Sequence, residues 1–180
     1  MKWLVYDTET TGLTLPSTAA LEAQPHIIEF AVAVVNTDFP TAIVTDEHSW
    51  LINPGVPITD EITKITGLTD ADVKDKPTFA QLLPEITKVF LGAQGLVAHN
   101  LPFDLDLLTF ELRRIGKERA FPYPPQQLCT VAAYHHLKGR RMKMTELYKH
   151  VLGKELAQTH RAMDDVRALV EILLADGALE

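Results

Sequence analysis

Lys2-Trp3-Leu4-Val5-Tyr6-Asp7-Thr8-Glu9-Thr10-Thr11-Gly12-Leu13 is the stretch whose reading decides the fold. An apolar run of strand-forming residues ends in two carboxylates two residues apart, then in Thr-Thr-Gly. Side chains on a strand alternate faces, so Asp7 and Glu9 project the same way, roughly 7 Å apart along the chain. Two negative charges on one face at the end of a buried strand are costly unless cations neutralise them. Taken alone, Asp-x-Glu is also what an ordinary solvated strand end looks like, so the rest of the chain has to decide.

Working outward, 14–24 is rich in Thr, Ala and Pro and reads as a loop. Residues 27–35 are apolar on both faces and read as an interior strand. A turn over 36–40 leads to a third strand over 43–52, and such short links favour an antiparallel meander. Asn53-Pro54-Gly55 ends it. The pattern turns helical from Thr59, with Ile62 and Ile65 spaced for one face and Gly67 as a stop. Thr78-Phe79-Ala80-Gln81 is a capping box that opens a helix with Phe79, Leu82, Leu83, Ile86 and Phe90 on one stripe. A short strand, Leu96 to His99, precedes a helix expected to bury Leu105, Leu108, Leu112 and Ile115. Pro122, Pro124 and Pro125 mark an irregular link to an edge strand at Leu128-Cys129-Thr130. Helical patterns cover 131–137, 145–152 and about 161–174, the last with Met163, Val166, Leu169, Val170 and Leu173 as its apolar face. A meander followed by strand–helix alternation predicts an α/β protein: a mixed sheet with helices on its faces, in one domain spanning 1–180.

Composition bounds the function. A hydrophobic fraction of 46% and a mean hydropathy of +0.01 fit a globular protein, and 180 residues suffice for a full core. One cysteine, Cys129, excludes an internal disulfide and fits a reducing compartment. No signal-peptide core and no membrane-length apolar run stand in the sequence, so a cytoplasmic location and no membrane partner are expected. The formal charge of −7 argues against a phosphate-rich partner. Two bound divalent ions would bring it to about −3, and focusing in a cleft matters more than the total.

Two more segments carry acids where a site could form. In Ala98-His99-Asn100-Leu101-Pro102-Phe103-Asp104 a strand ends and Asp104 falls in the first turn of the next helix, where the dipole favours a carboxylate. Asp106 lies about 200° round the same helix, and the apolar stripe does not choose between them. In His160-Arg161-Ala162-Met163-Asp164-Asp165 an ideal helix would point His160 and Asp165 about 140° apart. They share a site only if His160 lies in the preceding loop and Asp165 projects from the second helical turn.

Together, Asp7-Thr8-Glu9-Thr10-Thr11-Gly12-Leu13, His99-Asn100-x-x-Phe103-Asp104 and His160-x-x-x-x-Asp165 resemble the three motifs of the DnaQ-like 3′–5′ exonucleases. The subgroup is the one called DEDDh for its four acids and a histidine. The segments Ile27-Ile28-Glu29, Asn53-Pro54-Gly55, Ile65-Thr66-Gly67-Leu68-Thr69 and Asp75-Lys76-Pro77-Thr78-Phe79 are also similar to that family's connecting segments. The resemblance implies a ribonuclease H-like fold: five strands, three antiparallel and then parallel ones, with helices on both faces. It selects Asp104 over Asp106 and Asp165 over Asp164.

It further implies a two-metal phosphodiester hydrolase using Mg²⁺ or Mn²⁺. Asp7 would bridge the ions, Glu9, Asp104 and Asp165 would complete the cage, and His160 would act as general base toward the attacking water. Thr10, Thr11, Gly12, Leu13, His99, Asn100 and Phe103 are expected to meet the 3′-terminal nucleotide. Lys138, Arg140, Arg141 and Lys143 form the one dense basic cluster and are candidates for contacts to the incoming strand. The expected partner is a nucleic acid with a free 3′ end, DNA ahead of RNA. Rival readings are an exoribonuclease resembling ribonuclease T or oligoribonuclease, and a catalytically inert binding module. Glu180 follows Asp165 by fifteen residues, so no C-terminal polymerase tether is expected. Oligomeric state is not legible.

Overall fold

The computed structural model describes residues 1–38 and 41–179, so Phe39 and Pro40 of the turn expected at 36–40 lie outside the described residues. β1 (Lys2–Thr10), β2 (Ile27–Asn36) and β3 (Ile43–Leu51) form the antiparallel meander. β4 (Gly95–Ala98) joins β1 in parallel and β5 (Gln126–Cys129) joins β4 in parallel, giving the order β3-β2-β1-β4-β5. β1 is thus the middle strand, the one place where antiparallel and parallel halves meet. Open α/β sheets bind ligands beyond the carboxyl ends of such strands, and Asp7 and Glu9 stand at that end of β1.

Alternation along β1 and β2 divides the core into two layers. Leu4 and Tyr6 of β1 with Phe30, Val32 and Val34 of β2 face α3 (Phe79–Phe90) and α4 (Leu101–Arg114). Trp3 and Val5 with Ala31, Ala33 and Val35 face α6 (Met144–Leu152) and α7 (Ala162–Asp176). Helices therefore cover both faces, as the sequence implies. By the same parity Asp7 and Glu9 fall on the α7 side, and Thr8 and Thr10 on the α4 side.

Several local expectations shift. The capping box at Thr78 is present, with the Gln81 side chain accepting from the Thr78 N–H at 2.8 Å. α1 (Asp60–Thr66) ends at Gly67 with φ 74°, the left-handed stop glycine favours. α2 (Asp70–Val73) was not foreseen; its signal is Thr69-x-x-Asp72, where Asp72 closes a second box on Thr69. The helix expected over 131–137 is instead a short α5 (Thr130–Ala133) and a 3₁₀ turn at His135–Leu137. On α4 the buried stripe is Leu101, Asp104, Leu107, Leu108, Glu111 and Leu112, while Leu105 and Ile115 are only partly buried. Including a carboxylate in that stripe rotates the helix from the orientation leucines alone would choose. Met163 is likewise half-buried, its place in the α7 face taken by Ala162, Ala168 and Ile172. Among the described residues no helix is long and apolar enough to cross a membrane.

Gly95 starts β4 directly against Trp3, and an added Cβ would lie 2.0 Å from the indole ring. Gly95→Ala is therefore expected to destabilise the fold by ~1–3 kcal/mol through overpacking. A lower denaturant midpoint with unchanged m-value would report this.

Candidate active site

Ligand-type oxygens of Asp7, Glu9 and Asp165 all lie within 4.8 Å of one another. The parity of β1 explains why: its two carboxylates face α7, and Asp165 sits at the end of that helix's first turn, buried beside Ala162 and Val166. It falls in the first turn rather than the second because the helix begins at Ala162, one residue later than the sequence suggested. Asp164 points out to solvent and accepts a 2.7 Å hydrogen bond from the Thr159 hydroxyl.

Asp104 arrives from the other layer. It is 2% exposed, and its Oδ1 accepts from both the N–H (3.1 Å) and the hydroxyl (2.8 Å) of Thr8. Thr8 thus fixes Asp104 beside the trio rather than within it, leaving Oδ2 as the oxygen it can offer. Asp106, two residues on, is exposed.

The electrostatics record the crowding. Burial first, then the charges of Asp104, Asp165 and Glu9, push Asp7 well above the carboxylate range. Glu9 is raised to about 8, by burial and then by Asp165 and Glu29. Asp104 is raised to about 7 by burial, against the opposing hydrogen bonds from Thr8. Burial also raises Asp165, while Gln158, whose amide donates to its carboxylate at 3.2 Å, works the other way. A clustered set of hard oxygen donors that resist ionising together fits divalent cations of the Mg²⁺ or Mn²⁺ kind.

Two polar clamps that sequence reasoning missed hold this geometry. Glu29 faces Glu9 across the β1–β2 pair, next to a bulge where Ile28 is the extra residue. Its buried carboxylate takes a two-point contact from the Arg161 guanidinium (3.0 and 2.8 Å) and also accepts from the Ala162 N–H at 3.2 Å. That ties the start of α7, and with it Asp165, to the sheet. Glu111 is the second clamp: it accepts from the Ile27 N–H and bonds the His26 ring, each at 3.1 Å. His26 in turn exchanges backbone and hydroxyl bonds of 2.9 Å with Thr11. The signal for both lay in acids at apolar positions, Glu29 inside a strand and Glu111 inside a helical stripe.

The remaining candidates divide. A cleft of about 570 Å³ is lined by Asp7, Asp165, His99, Asn100, His160 and the chain from Arg141 to Thr145. His160 is exposed in the loop before α7, with φ 53°, and Asn100 has φ 81°. Thr11, Gly12 and Leu13 line a neighbouring hollow of about 310 Å³, with Leu13 81% exposed. Thr10 is buried and its hydroxyl donates to the Gly12 carbonyl at 2.7 Å. A Cβ on Gly12 would meet nothing within 4 Å, so the chain's own packing does not demand glycine there. Phe103 packs against the α3–α4 core.

His99 is engaged at both ring nitrogens. Nε2 lies 3.1 Å from the Met142 carbonyl and must donate; Nδ1, 2.9 Å from the Thr130 hydroxyl, then accepts in a neutral ring. Burial lowers its pKa, consistent with that neutral form. Arg140 bonds Glu146 at 2.5 and 3.0 Å and Lys138 bonds it at 3.4 Å, so these two of the four basic residues are spent on the protein.

Comparison with known proteins bears on the family. A family model described as Exonuclease (RNase_T) matches residues 4–173. The chain is 31% identical over 172 residues to the DNA polymerase III PolC-type protein of Clostridium perfringens, covering 96% of this chain and 11% of that one. It is 30% identical over 181 residues to the DNA polymerase III subunit epsilon of Rickettsia prowazekii, covering 97% and 73%. The chain thus spans about a tenth of the length of the PolC-type relatives. Among solved structures, exonuclease X in complex with 5′ overhanging duplex DNA is similar with a TM-score of 0.64 and 26% identity, over 97% of this chain and 93% of that one. The nuclease domain of 3′hExo, a DEDDh family member bound to rAMP, shares the fold with a TM-score of 0.73 at 21% identity, over 98% and 92%. With residues 4–173 of its 180 matched by the family model, the chain belongs to the exonuclease family.

Proposed function

We propose that this chain removes nucleotides singly from the 3′ end of DNA, acting on single-stranded ends and releasing nucleoside 5′-monophosphates. The observation that carries the reading is the convergence of Asp7, Glu9 and Asp165 within 4.8 Å at the carboxyl end of the middle strand, with Asp104 alongside. Asp7, Glu9 and Asp165 would hold one Mg²⁺ or Mn²⁺ ion, and Asp7 with Asp104 Oδ2 a second. When bound, such ions make water acidic enough to attack at neutral pH and neutralise charge on the phosphate.

The chain's own groups supply orientation and proton transfer. Thr8 keeps Asp104 turned inward, and the Glu29–Arg161 pair keeps Asp165 facing Glu9. His160, exposed on the rim of the same cleft, accepts the proton of the attacking water and returns it to solvent. DNA is favoured over RNA by the kinship with DNA polymerase III proteins and by the DNA-bound state of exonuclease X.

Single-stranded oligonucleotides labelled at either end, incubated with Mg²⁺ or chelator, test this. Stepwise shortening of 5′-labelled DNA is expected, faster than of matched RNA and abolished by chelator. A 5′-to-3′ ladder or a faster RNA reaction would contradict it. Loss of a general base is worth ~10²–10⁴-fold, so His160→Gln is expected to lower kcat in that range with KM within about twofold. An unchanged kcat would take the base role away from His160.

A further inference from the structure

The basic cluster splits along a line the sequence did not show. Lys138 and Arg140 share the carboxylate of Glu146. Arg141 and Lys143 are exposed, have no acidic partner among the described residues, and line the cleft that Asp7 and Asp165 also line. The residue between them, Met142, is buried, and its carbonyl is the group that His99 holds from the end of β4. His99 is in turn anchored by Thr130, the residue that follows β5. The parallel half of the sheet therefore pins the midpoint of the Arg141–Lys143 segment, and the two cations flanking that point are left unneutralised beside the acids.

Two unpaired cations in the acid-lined cleft of a protein with net charge −7 call for an anion with more than one charge. We propose that Arg141 and Lys143 bind two consecutive phosphates of the substrate strand, and that His99 is a positioning residue holding them in place through Met142. This deepens the exonuclease reading and rests on it for the identity of the strand. It assigns His99, itself part of the cleft lining, the task of holding the Arg141–Lys143 segment rather than of meeting the terminal nucleotide, and it excludes Lys138 and Arg140 from the strand path.

The test is oligonucleotide binding, read by fluorescence anisotropy across a salt series in an Asp7→Asn background with Mg²⁺, so that no cleavage intervenes. Each phosphate contact to a single strand contributes a slope of ~0.7 in log K against log salt. Arg141→Gln/Lys143→Gln is expected to weaken binding about tenfold and to flatten the slope by ~1.4, the value for two contacts. Lys138→Gln/Arg140→Gln is expected to leave the slope unchanged. His99→Ala should weaken binding about as much, with little further loss when combined with the double variant. His99→Gln, which keeps an amide donor for the Met142 carbonyl, should recover most of it.

In the active protein, His99→Ala should raise KM with kcat within about twofold. A wild-type slope in Arg141→Gln/Lys143→Gln, or an equal flattening in Lys138→Gln/Arg140→Gln, overturns the assignment of the phosphate contacts. Wild-type binding by His99→Ala overturns the positioning role. Should the wild-type chain shorten no labelled strand while the slopes still differ as expected, the exonuclease reading falls and the anion site stands.

Discussion

Asp7→Asn is expected to lose turnover by ~10³-fold or more, since on the proposed reading it removes the carboxylate that would serve both cation positions, and yet to melt higher than wild type in chelator at pH 8. The second half follows from the raised carboxyls. Asp7, Glu9 (about 8) and Asp104 (about 7) keep protons in the folded chain that the unfolded chain has released by about pH 4–4.5. Where the folded state binds more protons than the unfolded one, stability falls as pH rises. These groups therefore weaken the cation-free chain progressively from about pH 4 to pH 8, and deleting one charge relieves the strain. The gain should reach several degrees, at ~2–4 °C per kcal/mol for a chain of this size, and should vanish toward pH 4. In Mg²⁺ the order should reverse, because wild type gains more from the ion. Melting curves at pH 5 and 8, with and without Mg²⁺, check all of this; a lower melting point for the variant in chelator at pH 8 would show that Asp7 is stabilising without cations.

Arg161→Ala is expected to cost both stability and activity. It leaves Glu29, 3% exposed at its side chain, as a buried charge without its partner and adjacent to Glu9. Breaking a fully buried pair costs ~3–5 kcal/mol. The Arg161 side chain is itself 44% exposed, so ~2 kcal/mol is the better expectation after solvent screening. Activity should fall further than stability, by about 10–100-fold in kcat, because the same contact sets where α7 presents Asp165 and a small misplacement is costly. Glu29→Gln should be milder, since an amide oxygen still accepts from the Arg161 guanidinium and the Ala162 N–H. Equal kcat values in Arg161→Ala and wild type would mean that α7 is positioned by its apolar face alone.

The fold was legible because its signals are periodic. Two-residue spacing in β1 and β2, the glycine stop after α1 and the capping box at Thr78 each act locally, and the structure keeps them. The two-residue spacing also set Asp7 and Glu9 on one face without any tertiary information. What escaped is what depends on partners far along the chain. The orientation of α4 could not be read from Leu105 and Ile115, because the helix turns to bury Asp104 against Thr8 and Glu111 against Ile27. His99 reads as a ligand-facing residue until Thr130 and Met142, 31 and 43 positions away, take both of its nitrogens. A run of four basic residues cannot show which two a later glutamate will neutralise. The interruption at Tyr134 is of the same kind: it is buried, and its hydroxyl donates to Asp176 of α7, so tertiary contact outweighs the helical pattern over 131–137.

The most direct test of the central claim is anomalous scattering from crystals of the protein soaked in Mn²⁺. Manganese is expected between Asp7, Glu9 and Asp165, with carboxylate oxygens at ~2.0–2.6 Å, and a second peak between Asp7 and Asp104 once a 3′-terminal nucleotide is present. Crystals that scatter with no peak in contact with Asp7 at saturating Mn²⁺ would contradict it.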